Sequence, residues 1–143
     1  MIVKRPTVFA LPLIGWREDI ILPEFGNGLL IAKIDTGART AALHAENIRV
    51  EGKYVAFQLD GASHKVALVG LKRIKSSNGY SELRPIIETI VEVGSHQFAT
   101  EITLTNRTDM DVPMLLGREA LKGRFLVNPS RSFILSRRKK ISK

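Results

Sequence analysis

Ile34-Asp35-Thr36-Gly37-Ala38-Arg39-Thr40 ends the apolar run Leu29 to Ile34 and turns the chain. An ionised carboxylate at the end of a buried strand is costly unless it is paired or faces a cleft. Gly37 suits a tight turn or a close backbone approach, and the Thr36 hydroxyl can bond locally and hold the loop. The turn therefore offers Asp35 to a cleft with little freedom. Taken alone, the triplet also fits an ordinary β-turn with Asp and Gly in favoured places. Its meaning depends on the chain around it.

Working outward, most of the chain reads as strands. Trp16 to Leu22 and Leu29 to Ile34 are apolar runs split by Pro23, Gly26, Asn27 and Gly28, as in a hairpin. Tyr54 to Leu59 alternates, and Lys65 to Leu71 follows Asp60-Gly61. Ser76-Ser77-Asn78-Gly79-Tyr80 is a turn, with Asn-Gly as its hairpin signal. Ile86 to Val93 and Gln97 to Leu104 flank Gly94-Ser95 as a second hairpin. Val112 to Leu116 reads as a short buried strand, and Arg118 to Lys122 as the one helix, stopped by Gly123. Phe125 to Val127 and Phe133 to Leu135 are short apolar runs around Asn128-Pro129-Ser130. Many short strands at close spacing predict an all-β barrel or sandwich.

Composition sets the outer limits. The 143 residues include no cysteine, which excludes disulfides and thiolate metal sites and fits a cytoplasmic protein. Hydrophobic residues at 44% and charged residues at 25% are those of a globular domain. No apolar run is long enough to span a membrane. Lys4-Arg5 before Val8 to Ile14 mimics the start of a signal peptide, but Pro12 and Trp16-Arg17-Glu18 follow, so the segment reads as mature protein. The net charge of +8 is uneven: residues 137–143 hold five positive charges, and without them 17 basic residues face 14 acidic ones. The reading is one domain over 1–136 and a disordered basic tail over 137–143. With no aromatic residues interleaved, the tail does not suggest sequence-specific nucleic-acid binding.

A second feature gives the Asp-Thr-Gly turn its weight. Met114-Leu115-Leu116-Gly117-Arg118 is an apolar strand running into glycine, with Gly117 82 residues beyond Asp35. In this order, within an all-β chain, the two resemble the retropepsins, the single-lobe aspartic peptidases. The stretches Ala32 to Ala45, Lys75-Ser76-Ser77-Asn78-Gly79, Leu115 to Arg118, Gly123 to Asn128 and Ser130-Arg131-Ser132-Phe133 narrow this further. They resemble the retropepsin-like family labelled "ATP-dependent zinc protease".

That resemblance implies a closed or partly open barrel of the acid-protease type with one short C-terminal helix. It implies an aspartic endopeptidase with Asp35, Thr36 and Gly37 as the catalytic triplet, and a later strand packed across the catalytic loop. Aspartic peptidases use two carboxylates that share a proton. One chain supplies one Asp-Thr-Gly, so the pair requires a homodimer, with Thr36 locking the two loops. Ala38, Arg39, Ser77, Asn78 and Gly79 are the expected substrate-binding residues, the last three at the tip of a flap over Lys75 to Tyr80. Family members often occur beside ATP-grasp glutamate ligases that modify a ribosomal protein, so the resemblance suggests a glutamate-rich or glutamate-tailed substrate. A non-catalytic barrel that regulates such a ligase or a ribosomal partner is the alternative.

The residues disagree with parts of the label and of the retroviral pattern. His-Glu-x-x-His is absent, and His44, His64 and His96 lie in separate segments, so no metal site is expected. No phosphate-binding Gly-x-x-x-x-Gly-Lys loop occurs, and no cofactor is expected. Ser76 and Ser77 lack recognisable triad partners. Retroviral enzymes place Asp where this chain has Arg39, which therefore pairs with Glu119 or reaches into the cleft to clamp a substrate carboxylate. Arg124 and Arg131 are expected to pair with Glu101, Asp109 or Asp111, and Trp16 to lie in the core or an interface.

Overall fold

Period-two patterning places the strands. In the computed structural model, which describes residues 10–75, 79–108 and 110–136, Ile87, Val91, Val93, Ile102 and Leu104 are fully buried while Glu88 and Glu101 face outward. The elements run β1 (Leu13–Gly15), β2 (Arg17–Ile20), a 3-10 turn (Pro23–Phe25), β3 (Leu30–Ile34), β4 (Ala41–His44) and β5 (Glu46–Glu51). After them come β6 (Tyr54–Leu59), β7 (Ala62–Ala67), β8 (Gly70–Lys75), β9 (Ser81–Val93), β10 (His96–Thr105), β11 (Met114–Leu116), α1 (Arg118–Leu121) and β12 (Leu126–Asn128).

Seven strands form one sheet in the order β2-β3-β11-β4-β10-β9-β8. β5-β6-β7 is a separate meander, and β1 pairs in parallel with β12. Both expected hairpins are present: β2 pairs antiparallel with β3, and β9 with β10 across Gly94-Ser95. β8 and β9 pair antiparallel from Gly70↔Ile86 to Lys75↔Ser81, so they form the two arms of the expected flap. The turn residues Ser76, Ser77 and Asn78 lie outside the described residues, as does the tail 137–143. The core gathers Ile14, Ile20, Ile34, Leu43, Phe57, Ile87, Val91, Ile102, Leu104, Met114 and Leu116 from both larger sheets and β1.

Three expectations need correction. The sheets do not close into a barrel. β2 is four residues long and spends its ladder on β3, so among the described residues only the isolated Ile21–Glu92 bridge brings its end against β9. Lys65 to Leu71 is not one strand: β7 ends at Ala67 and the chain re-pairs as β8 from Gly70. The final apolar run, Phe133 to Leu135, joins no strand ladder; its amides go elsewhere. Trp16 is half-buried, with the Arg17 guanidinium 4.3 Å from its ring centre.

The decisive topological feature is β11. It lies between β3 and β4, parallel to the first (Met114↔Ala32, Leu116↔Ile34) and antiparallel to the second (Met114↔Leu43). The loop joining β3 to β4 must therefore pass over the end of β11. That loop is residues 35–40.

Candidate active site

Asp35 follows β3 directly, and its backbone is fixed before its side chain is considered. The Asp35 amide donates to the Leu116 carbonyl at 2.9 Å, continuing the β3–β11 ladder by one residue. The chain then turns: the Ala38 amide donates to the Asp35 carbonyl at 3.2 Å, and the Gly37 amide donates to Asp35 Oδ1 at 2.9 Å. This last bond orients the carboxylate, because one oxygen is held against the loop's own backbone. Asp35 is half-buried, while Thr36 and Gly37 are exposed.

Gly117 explains how the loop can cross β11. A Cβ there would lie 2.7 Å from the Thr40 carbonyl oxygen and 2.8 Å from that of Ala38. No side chain fits between these backbones. The same crossing is bonded by the Arg118 amide to the Ala38 carbonyl at 2.8 Å and the Glu119 amide to the Arg39 carbonyl at 3.0 Å. α1 begins at this point, so its first two amides, which lack intrahelical partners, are satisfied by the Asp35 loop.

Arg118 and Arg39 take separate partners. Arg118 Nη1 donates to the Thr36 carbonyl at 3.0 Å, pinning the exposed part of the turn. Arg39 Nε lies 4.0 Å from Glu119 Oε2, with both side chains more than half exposed. A pair this long and this wet contributes little to stability. A cavity of about 370 Å³ lies beside the loop, bounded by Thr40, Glu119, Lys72, Glu88 and Glu101; Asp35 is not part of its lining.

Of the expected site, Asp35, Thr36, Gly37, Ala38 and Arg39 form one loop, and Gly79, just before β9, has a φ of 89°. Ser77 and Asn78 fall outside the described residues. Arg118, not singled out as a site residue, is drawn in through its contact with Thr36; the only sequence signal for it was its place beside Gly117. Arg124 lies over the Phe98 ring at 4.7 Å and donates to the Ala120 carbonyl, while its expected partner Asp109 is outside the described residues. Among the described residues no three His, Asp or Glu side chains come together as metal ligands would.

The chain is similar to several known proteins. The model of the RimB-like family, described as retropepsin-like aspartic endopeptidase RimB, matches residues 13–138. A probable alpha-L-glutamate ligase of Shewanella pealeana is 42% identical over 135 residues, covering 86% of this chain and 30% of that protein. A probable alpha-L-glutamate ligase of Parasynechococcus marenigrum is 33% identical over 132 residues, covering 84% of this chain and 28% of the relative. The chain thus spans less than a third of the length of these curated relatives. A crystal structure of a Legionella pneumophila protein of unknown function superposes with a TM-score of 0.72 at 32% identity, covering 87% of this chain and 98% of that one.

Proposed function

The chain belongs to the RimB-like family of retropepsin-like aspartic endopeptidases, and from that premise we propose that it hydrolyses peptide bonds as a homodimer, with Asp35 of each copy in one site. The observation that carries the reading is the Asp35 loop: one carboxylate, oriented by the Gly37 amide, on a loop locked over Gly117. Two such carboxylates brought together at a two-fold axis cannot both ionise. The ionised one takes a proton from water, and the protonated one donates to the scissile carbonyl. Exposure of Thr36 and Gly37 suits a meeting of the two loops. The arms β8 and β9 would bring the flap tip over the cleft and limit the access of water.

The substrate we propose is an acidic or glutamate-tailed protein. Arg39 is held only by an exposed pair with Glu119, and it can give that partner up for a substrate carboxylate. Relatives named glutamate ligases carry a segment like this chain within a longer polypeptide, which puts the two chemistries side by side. The same observation favours a second reading, in which the domain binds and regulates an ATP-grasp ligase, or a ribosomal protein, without cleaving anything.

Incubation of a glutamate-tailed peptide with the wild-type protein and with Asp35→Asn separates these readings. Cleavage that persists with chelator and disappears in Asp35→Asn is the expected result. Cleavage abolished by chelator and restored by zinc would overturn the aspartic mechanism. Ligase binding with no cleavage by either protein would favour the regulator.

A further inference from the structure

Glu18 is completely buried, yet it lies far along the chain from every amide that follows β12. Its carboxylate collects five hydrogen bonds. Oε2 accepts from the amides of Gly15 at 2.7 Å, Ile134 at 3.0 Å and Leu135 at 3.1 Å. Oε1 accepts from the Ser136 amide at 2.9 Å and the Ser136 hydroxyl at 2.8 Å. Three successive amides aimed at one anion make a backbone nest, here filled from within the molecule. A buried carboxylate would be severely unfavourable without such donors.

The segment it holds is fitted closely. Phe133 adopts a φ of 56°, a left-handed conformation that a bulky residue takes only when its surroundings impose it. A Cβ on Gly15 would lie 2.6 Å from the Arg131 carbonyl oxygen, and one on Gly94 2.5 Å from that of Leu135. Residues 131–136 are therefore a strap laid between two glycines and tied by Glu18.

The strap reaches the candidate site through two hydrogen bonds. The Arg131 carbonyl accepts the Trp16 amide at 2.8 Å, and the Trp16 carbonyl accepts the Ile34 amide at 2.8 Å. Asp35 is the next residue. We propose that Glu18 is a positioning residue for Asp35: by tying the strap it fixes Trp16, and through Trp16 the end of β3 from which the catalytic carboxylate projects. The proposal rests on the reading of Asp35 as the reacting group.

The test compares wild type with Glu18→Gln, whose amide nitrogen must face some of the five donors, and with the milder Ser136→Ala, which removes one donor and is expected to keep the fold. Amide hydrogen exchange and backbone amide shifts are measured at 134–136 and at 34–37, together with kcat and KM on a glutamate-tailed peptide. In Glu18→Gln, protection at 134–136 is expected to fall about tenfold or more. The amides of Ile34 to Gly37 should shift with it, and kcat should fall while KM stays. Ser136→Ala should move the same amides less. An opened strap with unchanged amides at 34–37 would overturn the proposal, as would a strap still protected in Glu18→Gln. If wild type cleaves nothing, the peptidase reading has failed separately, and the amide shifts alone decide whether Glu18 positions Asp35.

Discussion

At position 117 there is no room for a side chain: the carbonyls of Ala38 and Thr40 stand under 3 Å from where a Cβ would be. Gly117→Ala must push the Asp35 loop off β11. The expected cost is about 1–3 kcal/mol, seen as a lower urea midpoint, because overpacking forces backbone shifts. Asp35→Asn, by contrast, should leave stability nearly unchanged, since Asn retains an oxygen for the Gly37 amide. Residues of this kind were legible in the sequence because their constraints are local. An Asp before Thr-Gly and a glycine after an apolar strand announce themselves within a few positions. Glu18 was not legible. In Trp16-Arg17-Glu18-Asp19 it resembles any charged residue at a strand edge, and the amides that make its burial tolerable lie 116 to 118 residues later. The structure gives Arg39 and Arg118 separate partners, the first Glu119 and the second the Thr36 carbonyl.

Among the elements, β11 matters most for its length. Three residues inserted between two strands hold the loop that bears Asp35, and Met114 at their head is fully buried. Met114→Ala is expected to lose about 2–5 kcal/mol, the range for emptying a packed core position. Ile90→Ala, on the outer face of β9, should cost well under about 1 kcal/mol by the same urea assay. The meander β5–β7 carries its own electrostatic mark. Glu51 accepts from Lys65 at 3.2 Å and from Arg49 at 3.3 Å, and these partners, Lys65 first, hold its carboxyl below the usual glutamate range. A lowered folded value means that the stabilisation is present above the unfolded value and is lost as pH falls through the folded one. Because Glu51 is fully exposed, the effect on stability is slight, and its titration is the better readout. Its carboxyl carbon should titrate below that of an unstructured peptide, and Lys65→Met or added salt should raise the midpoint. A midpoint indifferent to both would contradict the assignment. The hairpins β2–β3 and β9–β10 were readable from alternation and turn residues. β4 was not, because Ala41-Ala42-Leu43-His44 has little β-forming character and owes its conformation to β10 and β11 on either side.

For the whole molecule, the single Asp-Thr-Gly is the governing fact. A chain of 143 residues with one Asp-Thr-Gly holds one carboxylate of the two an aspartic peptidase needs. The excess positive charge lies mostly in 137–143, outside the described residues, so it does not determine the chemistry of the domain. No helix among the described residues is long and apolar enough to cross a membrane. Sequence reading anticipated the mostly-β class and the family, since both follow from local pattern and one characteristic pair of motifs. It overestimated closure, because whether a sheet's edges meet depends on strand lengths and stagger that periodicity does not encode. The central claim is that each site takes one Asp35 from each of two copies. The most direct test mixes Asp35→Asn with wild type at constant total concentration, allows subunits to exchange, and follows cleavage of a glutamate-tailed peptide. The claim predicts a rate that falls as the square of the wild-type fraction, to about a quarter at equal mixing. A rate that falls only in proportion to the wild-type fraction would show that one carboxylate suffices and would contradict it.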